Sequence, residues 1–328
     1  MKVLVLTQTE VEDLLPMDEC ILVMRDALTA LARGQAHQPL RMVVRPPESS
    51  NLMILMPSVM SGAHAAFGLK ALCIFPENPA IGKDAHQGAV MLFSGESGEL
   101  LALMNASAIT AIRTAAVSGV ATELLARPGE VELAIVGSGV QAQSHLKAIS
   151  CSRPVRRARV ASRHFTHAHS FAEEMSHHYS FPVVAVETVE AAVKGADVIV
   201  TATTAPEPVL RREWVAPGAH INAIGASLPT MREIDTATVA AAGFFVDYRE
   251  STLKESGDYL LALREGAIGP DHIRAEIGEV LIGAEAGRTS SDEITLFKSL
   301  GLAVEDLAAA EYIYRKAQRM NIGTRVEF

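Results

Sequence analysis

The spacing of apolar residues divides the chain into regions with different predicted structure. Near the start, apolar residues recur at helical spacing over 21–31, and Gly34 follows at the predicted end of that helix. We predict a shorter helix at 10–15 and Asp18 as the N-cap of the longer one. Short apolar runs then predict a group of strands, at 40–45, 52–56, 68–73, 89–93 and 100–105.

The pattern changes at residue 107, where a long apolar stretch without proline predicts a helix to residue 126. Beyond it, short apolar runs alternate with helical stretches, and a last helix is predicted at 304–319. Such alternation with right-handed crossovers implies a doubly wound parallel sheet, so the predicted fold class is α/β. The predicted strands of this region are 159–161, 183–186, 198–201, 220–224 and 244–246.

A glycine turn at the start of the alternating region is its most informative motif. Val131–Val136 is a predicted buried strand, Gly137 and Gly139 follow at once, and a helix starts at Gln141. Such a turn directs backbone N–H groups and a helix N-terminus at one point, which suits a pyrophosphate. Ala142 takes the third small position of the dinucleotide fingerprint. Because a strand precedes the glycines and a helix follows them, the motif predicts a dinucleotide site.

Composition and charge narrow the classes of function. The 328 residues are too many for one small core, so two domains are expected. A net charge of −9 argues against a nucleic-acid partner, and no apolar run approaches the ~18 residues of a membrane span. Three widely spaced cysteines favour reduced thiols in a cytoplasmic protein. A histidine-rich stretch at 164–178 lacks metal-ligand spacing, so no metal is expected.

The residues after the second strand of the dinucleotide unit indicate which cofactor binds. In NAD-binding folds a carboxylate about 20 residues past the glycines binds the ribose 2′-hydroxyl. The chain has no Asp or Glu over 133–171, and the strand ends in Ser162 and Arg163. A hydroxyl and a guanidinium can bind a 2′-phosphate, so NADPH is favoured and NADH is the weaker alternative. A solvated loop position for Arg163 stays open.

Two basic residues lie in apolar surroundings and are candidates for chemistry. Lys70 interrupts an apolar strand, where a charge is costly unless it is paired, and burial lowers a lysine pKa towards catalytic use. Arg113 is alone in the apolar stretch 108–116 and is expected to face an anion, either a cofactor phosphate or a substrate carboxylate. For Arg41 and His86, ligand contact and simple surface exposure are equally open.

Four motifs in sequence order carry a resemblance to a known family. They are Arg113-Thr-Ala-Ala, Ile135-Val-Gly-Ser-Gly-Val-Gln141, His220-Ile-Asn-Ala-Ile-Gly-Ala-Ser227 and Asp292-Glu-Ile-Thr-Leu-Phe-Lys-Ser-Leu-Gly301. Nearly end to end, the chain resembles the ornithine cyclodeaminase/mu-crystallin family. The resemblance implies a homodimer in which a Rossmann-type NADP-binding domain, 113–301, is inserted in a mixed α+β domain. That second domain, 1–112 plus 302–328, would bind substrate and form the dimer.

The resemblance also implies roles for individual residues. Arg41, Lys70 and Arg113 match residues that hold a substrate carboxylate near the nicotinamide, with Lys70 as a proton carrier. His86 and Ser227 are further catalytic candidates, each by holding a water. The residues expected to contact the cofactor are Arg113, Thr114, Gly137, Gly139, Val140, Gln141, Ser162, Arg163, Thr201, Thr203, Ala223, Gly225 and Lys298.

One departure from the family pattern favours a particular branch. Where ornithine cyclodeaminases have an aspartate that binds and deprotonates the substrate amine, this chain has Ser227. The pattern resembles ketimine reductases, whose substrate arrives as an imine and needs no such base. We therefore expect NADPH-dependent reduction of a cyclic imino acid, Δ1-pyrroline-2-carboxylate or Δ1-piperideine-2-carboxylate, to L-proline or L-pipecolate. An alanine-dehydrogenase-like enzyme, an ornithine-cyclodeaminase-like enzyme and a non-catalytic NADPH-gated binding protein stay open.

Overall fold

The computed structural model describes residues 2–62 and 64–328, which form two compact units. The first unit combines the chain up to Thr114 with Gly301–Phe328, and the second is Ala115–Leu300. The second unit is therefore inserted in the first along the chain. The domain limits expected from the sequence, 112/113 and 301/302, lie within two residues of these boundaries.

Strands and helices of both units are numbered in chain order. The strands are β1 (Lys2–Leu6), β2 (Ala36–His37), β3 (Met42–Val44), β4 (Leu52–Met60), β5 (Ala66–Ile74), β6 (His86–Ser94), β7 (Leu100–Asn105), β8 (Val131–Val136), β9 (Val155–Ala161), β10 (Val183–Ala185), β11 (Val198–Thr201), β12 (His220–Ala223), β13 (Gly243–Val246), β14 (Ile273–Glu276), β15 (Thr295–Lys298) and β16 (Thr324–Glu327). The helices are α1 (Gln8–Leu14), α2 (Met17–Ala32), α3 (Ala106–Leu125), α4 (Val140–Ser152), α5 (Phe165–Ser176), α6 (Val189–Val193), α7 (Thr236–Ala241), α8 (Arg249–Glu255), α9 (Gly257–Arg264), α10 (Ile277–Leu281) and α11 (Ala303–Met320).

The first unit is built on a mixed sheet in the order β16-β1-β7-β6-β5-β4-β2, with β3 also paired to β4. Helix α11 packs against β4, β5 and β6, and α2 packs on α11, so alternate residues of these strands are buried. The helix comes very close to β5, since a Cβ on Gly68 would lie 2.9 Å from Leu307 Cδ1. Polar groups of β5 on this face must therefore find their partners in α11.

The opposite face of this sheet, which we term the outer face, is apolar as well. Met53 and Phe67 are exposed on it, and β3 adds the exposed residues Met42 and Val44. An antiparallel sheet with one solvated face normally carries polar residues there. The half-buried side chains that complete the outer face are Leu55, Leu69, Ala71, Cys73, Met91 and Phe93.

The second unit is built on a parallel sheet in the order β10-β9-β8-β11-β12-β15-β13-β14. Strands β9 and β10 lie on one side of β8, and β11 and β12 lie on the other, so the strand order reverses between β8 and β11. In such sheets ligands bind outside the carboxyl ends of the strands at this switch point. The predicted Rossmann-type doubly wound fold is confirmed.

Several elements differ from the sequence prediction for physical reasons. Asp18 is not the N-cap of α2, which is Pro16; Asp18 lies in the first turn, where its charge favours the helix dipole. Strand β4 continues through Pro57 to Met60 because β5 pairs with it along its whole length. Strands β1, β2, β14, β15 and β16 were not predicted from the sequence. Strand β16 is exposed throughout, so it carries no buried apolar pattern.

Helix α3 is long and apolar enough to cross a membrane by length and composition, which the sequence analysis had not expected. However, 72% of its apolar window is buried within the protein. A helix that is apolar on all sides and surrounded by protein is a core helix. Its composition therefore reflects its place in the core.

Candidate functional site

A buried ion pair lies at the centre of the candidate site in the first unit. Lys70 is on the face of β5 that α11 covers, and its Nζ is 2.6 Å from Oδ2 of Asp306 in α11. Each side chain is only 2% exposed. The structure thus buries Lys70, as the sequence indicated, and gives it an acidic partner that was not predicted.

Arg113 contacts the same end of α11. Its Nε donates to Asp306 Oδ1 at 3.0 Å, and its Nη1 donates to Glu305 Oε2 at 2.7 Å. The guanidinium lies so close to Gly301, which has a φ of +79°, that a Cβ there would be 2.5 Å from Nη1. Arg41 Nη2 donates to the Gly301 carbonyl at 3.1 Å. Glycine at this position therefore allows the Arg113 guanidinium to approach the chain just before α11.

The first turn of α11 stabilises the two carboxylates locally. The helix begins at Ala303, so Glu305 and Asp306 fall near its N-terminus, where the helix dipole favours negative charge. Glu305 Oε2 also accepts the backbone N–H of Leu302 at 3.1 Å. This bond satisfies one of the donors that a helix leaves free at its start.

The charges of this cluster suit an anionic ligand. Burial lowers the pKa of Lys70 to about 8, although the carboxylate of Asp306 opposes this effect. Burial also disfavours the charge of Asp306, but the cations Arg113 and Lys70 outweigh it and lower the pKa of that carboxyl. Arg41, Lys70 and Arg113 bring three cations together beside the carboxylates of Glu305 and Asp306. Cations grouped in this way can bind a substrate carboxylate.

His86 is exposed at the start of β6. Partial desolvation of its ring lowers its pKa, and the positive charge of Lys70 lowers it further. Ser107 Oγ donates to the His86 carbonyl at 2.5 Å, which links β6 to the start of α3. A histidine with a lowered pKa is neutral at pH 7 and can hold a water molecule. Its part in proton transfer stays a prediction.

In the second unit, the glycine turn between β8 and α4 has the geometry of an anion site. Gly137 has a φ of +119°, and a Cβ on it would lie 2.4 Å from the Ala202 carbonyl oxygen, so the turn requires glycine. Gly139 is the N-cap of α4, makes no side-chain capping bond, and has open space where a Cβ would be. The first N–H groups of the helix, which starts with Val140 and Gln141, therefore have room for a pyrophosphate.

Strand β9 ends beside this turn, as the cofactor prediction requires. Ser138 Oγ, in the glycine turn, donates to Ser162 Oγ at 3.0 Å. Arg163 comes next and has an exposed side chain. A hydroxyl and an exposed guanidinium are thus available next to the expected pyrophosphate position, with no acidic side chain in 133–171 to repel a phosphate.

The predicted contacts at the ends of β11 and β12 belong to a buried network. Thr201 Oγ1 donates to Glu233 Oε2 at 3.0 Å, and the backbone N–H groups of Thr203 and Gly225 donate to the same carboxylate at 2.6 Å each. The side chains of Thr201 and Ala223 are fully buried. At this edge of the sheet, the loops that follow β11 and β12 are therefore better placed to contact a cofactor than the side chains of Thr201 and Ala223.

Three other predicted residues have different surroundings from one another. Lys298 is fully buried, and its Nζ is 3.0 Å from Asp258 Oδ2. The contact of Lys298 with the cofactor stays a prediction. Ser227 is exposed in the loop after β12, and Thr114 is buried in α3.

Sequence reasoning missed the acidic partners in both units. Glu305 and Asp306 are adjacent in an otherwise apolar stretch, and a buried cation needs such a partner. The two adjacent acids in an apolar stretch were a visible signal, but the sequence does not indicate which carboxylate pairs with which cation. In residues 2–62 and 64–328, no group of three or more His, Cys, Asp or Glu side chains is placed to hold a metal ion.

Comparison with known proteins assigns the chain to a family. Ketimine reductase mu-crystallin of Mus musculus is 43% identical over 281 residues, which is 86% of this chain and 85% of that protein. The structure of Thermococcus litoralis Δ1-pyrroline-2-carboxylate reductase with NADH and L-proline matches with a TM-score of 0.95 and 37% identity, over 99% of this chain and 100% of that one. An archaeal alanine dehydrogenase dimer with bound NAD matches with a TM-score of 0.93 and 33% identity over the whole of both chains. A model of one family matches residues 1–321, and the chain belongs to that family, the ornithine cyclodeaminase/mu-crystallin family.

Proposed function

We propose that this protein reduces a cyclic imino acid with a reduced nicotinamide cofactor. The substrate is Δ1-pyrroline-2-carboxylate or Δ1-piperideine-2-carboxylate, and the product is L-proline or L-pipecolate. The observation that carries the proposal is the buried Lys70–Asp306 pair beside Arg113 and Arg41. The names of the mouse and Thermococcus relatives support this reaction class.

The cation cluster serves first to bind the substrate carboxylate. Arg41, Arg113 and Lys70 lie together at the start of α11, where their positive charges attract an anion. Guanidinium groups donate in a planar fork that matches a carboxylate. The two acids fix the cations in place before the substrate arrives, so little side-chain order is lost on binding.

The second task is to keep the imine nitrogen protonated. The cofactor supplies a hydride to the imine carbon, and an iminium accepts hydride more readily than a neutral imine because its charge is discharged in the transition state. Lys70, with a pKa of about 8, is protonated at neutral pH and can release its proton at small cost. Ser227 can only orient the nitrogen or a water, since its hydroxyl is too weak a base to deprotonate an amine.

We further propose that NADPH is preferred over NADH. Ser162 and Arg163 follow β9 next to the glycine turn, and no carboxylate is present there to bind a ribose 2′-hydroxyl. The Thermococcus relative was solved with NADH. The preference for NADPH is therefore proposed from Ser162 and Arg163 of this chain and not from the relative.

We also propose a homodimer formed through the outer face of the first sheet. The outer face is an exposed apolar surface that includes Met53 and Phe67, and its contact with water is unfavourable. The same face of a second copy would cover it. The archaeal relative solved as a dimer supports a dimeric state, and the choice of interface rests on the outer face itself.

We propose that the protein works in the cytoplasm. The cysteines Cys20, Cys73 and Cys151 form no disulfide bonds, which is typical of a reducing compartment.

The test of the function is a comparison of substrates with the purified protein. We expect NADPH oxidation with one or both cyclic imines, and no proline from ornithine plus NAD. Pyruvate with ammonia is the third arm and tests the alanine-dehydrogenase alternative. Ornithine turnover with inert imines would contradict the proposal, and tight NADPH binding without turnover of any substrate would favour a binding protein.

A further inference from the structure

A fully buried carboxylate joins two loops of the second unit. Glu233 Oε1 accepts the backbone N–H of Thr203 at 2.6 Å, and Oε2 accepts the backbone N–H of Gly225 at 2.6 Å. Thr201 Oγ1 adds a bond to Oε2 at 3.0 Å. A backbone N–H can only donate, and the two oxygens of Glu233 give each loop an acceptor. Bonds from backbone donors to a buried charge are among the strong hydrogen bonds of proteins.

The two loops begin at the carboxyl ends of neighbouring strands. Thr203 follows β11 and Gly225 follows β12. They touch through their backbones, since a Cβ on Gly225 would lie 2.0 Å from the Thr203 carbonyl oxygen and 2.7 Å from Glu233 Cδ. Gly137 of the glycine turn contacts Ala202 in the first of these loops. The ends of β8, β11 and β12 therefore form one packed edge at the switch point.

Glu233 is held in turn from its own backbone. Its N–H and that of Ile234 donate to Asp258 Oδ1 at 2.9 and 3.0 Å, and Asp258 Oδ2 is 3.0 Å from Lys298 Nζ. Burial raises the pKa of Glu233, while the positive charge of Lys298 opposes that rise and Asp258 adds to it. Lys298 is thus the cation that makes two buried carboxylates tolerable in this core.

We propose that Glu233 is the positioning residue for the nicotinamide half of the cofactor. The inference rests on the proposed function, in which a dinucleotide lies across the switch point. The glycine turn and Arg163 belong to β8 and β9 and would take the pyrophosphate and the adenosine end, so the nicotinamide half extends over the ends of β11 and β12. Glu233 lies beneath these ends and fixes the loops without touching the cofactor.

The experiment compares Glu233→Gln with the wild type and with Glu173→Gln, an exposed residue of α5 in the same unit. In E233Q an NH2 group replaces one acceptor and faces a backbone donor, so one loop is released. We expect a nearly unchanged dissociation constant for NADPH, because the glycine turn is intact. The fluorescence of bound NADPH should move towards that of free NADPH, and kcat for the imine should fall about 10- to 100-fold. E173Q should match the wild type in every measurement.

The outcomes separate this inference from the proposed function. If E233Q lowers only the thermal midpoint and leaves the NADPH fluorescence and kcat per folded molecule unchanged, Glu233 is merely structural and the inference is overturned. If the wild type binds NADPH but reduces no imine, the function proposal fails, and the fluorescence of E233Q still tests the positioning role. Should E233Q not fold, Glu233→Asp retains the charge but is too short for both loops. Wild-type fluorescence in E233D would equally overturn the inference.

Discussion

The pairing of Lys70 with Asp306 predicts how the activity depends on pH. Burial holds the pKa of Lys70 at about 8, and Asp306 is the group that keeps it from falling further. In Asp306→Asn that negative charge, 2.6 Å from Nζ, is lost while Arg113 remains. At this distance two unit charges attract by about 6 kcal/mol at an effective dielectric constant of ~20, which sets an upper limit. A close opposite charge typically changes a pKa by about 1–3.

The Lys70 pKa in D306N should therefore lie at about 5–7. The protonated form is the active one, so kcat/KM is constant below the pKa and falls about tenfold per pH unit above it. For a variant pKa of about 6, kcat/KM at about pH 7.5 should drop roughly 25-fold from the loss of protonation alone. The assay is the pH profile of NADPH oxidation with the imine for both proteins. Titration of the substrate affects both profiles equally, so their difference belongs to the enzyme.

Two further variants complete this test. Asp13→Asn changes an exposed carboxyl in α1 of the same unit and should leave the profile unchanged. Lys70→Met should lower kcat and leave NADPH binding intact. When Lys70 is replaced by Met, the further change Asp306→Asn should no longer shift the pH profile. An alkaline limb in D306N at the same or a higher pH than in the wild type would refute the argument. If K70M raised only the substrate KM, Lys70 would bind the carboxylate without transferring a proton.

The remaining predictions concern the cofactor and the assembly. Arg163→Ala should raise the KM for NADPH about 10- to 150-fold more than that for NADH, since a charge-assisted contact is lost; equal losses would contradict the assignment. The wild type should be a dimer by light scattering at micromolar concentration. Phe67→Glu, which places a charge in the exposed centre of the outer face, should shift the protein towards monomers, and a monomeric wild type would exclude the proposed interface.

The sequence predicted the parts of the fold that depend on local patterns and failed where distant residues decide. The glycine turn was located to the residue because its φ values and close contacts require glycine at Gly137. The Rossmann-type fold followed from alternation of elements. In contrast, no local pattern links Lys70 to Asp306, because that pair exists only after α11 packs on β5. The pairing of Lys298 with Asp258 was not predicted either, because it depends on the packing of the parallel sheet.

The insertion of one unit in the other also affects the order in which a ribosome can produce this site. Arg113 and its partner Asp306 are 193 positions apart, so at about 5–20 residues per second the second appears roughly 10–40 s after the first. During that time Lys70 and Arg113 lack the carboxylates that make their burial tolerable. The second unit waits almost as long, because its strand β15, which lies between β12 and β13, ends only eight positions before Asp306. Limited proteolysis of chains held on the ribosome by an added C-terminal linker should therefore find both units sensitive until β15 and α11 have left the exit tunnel.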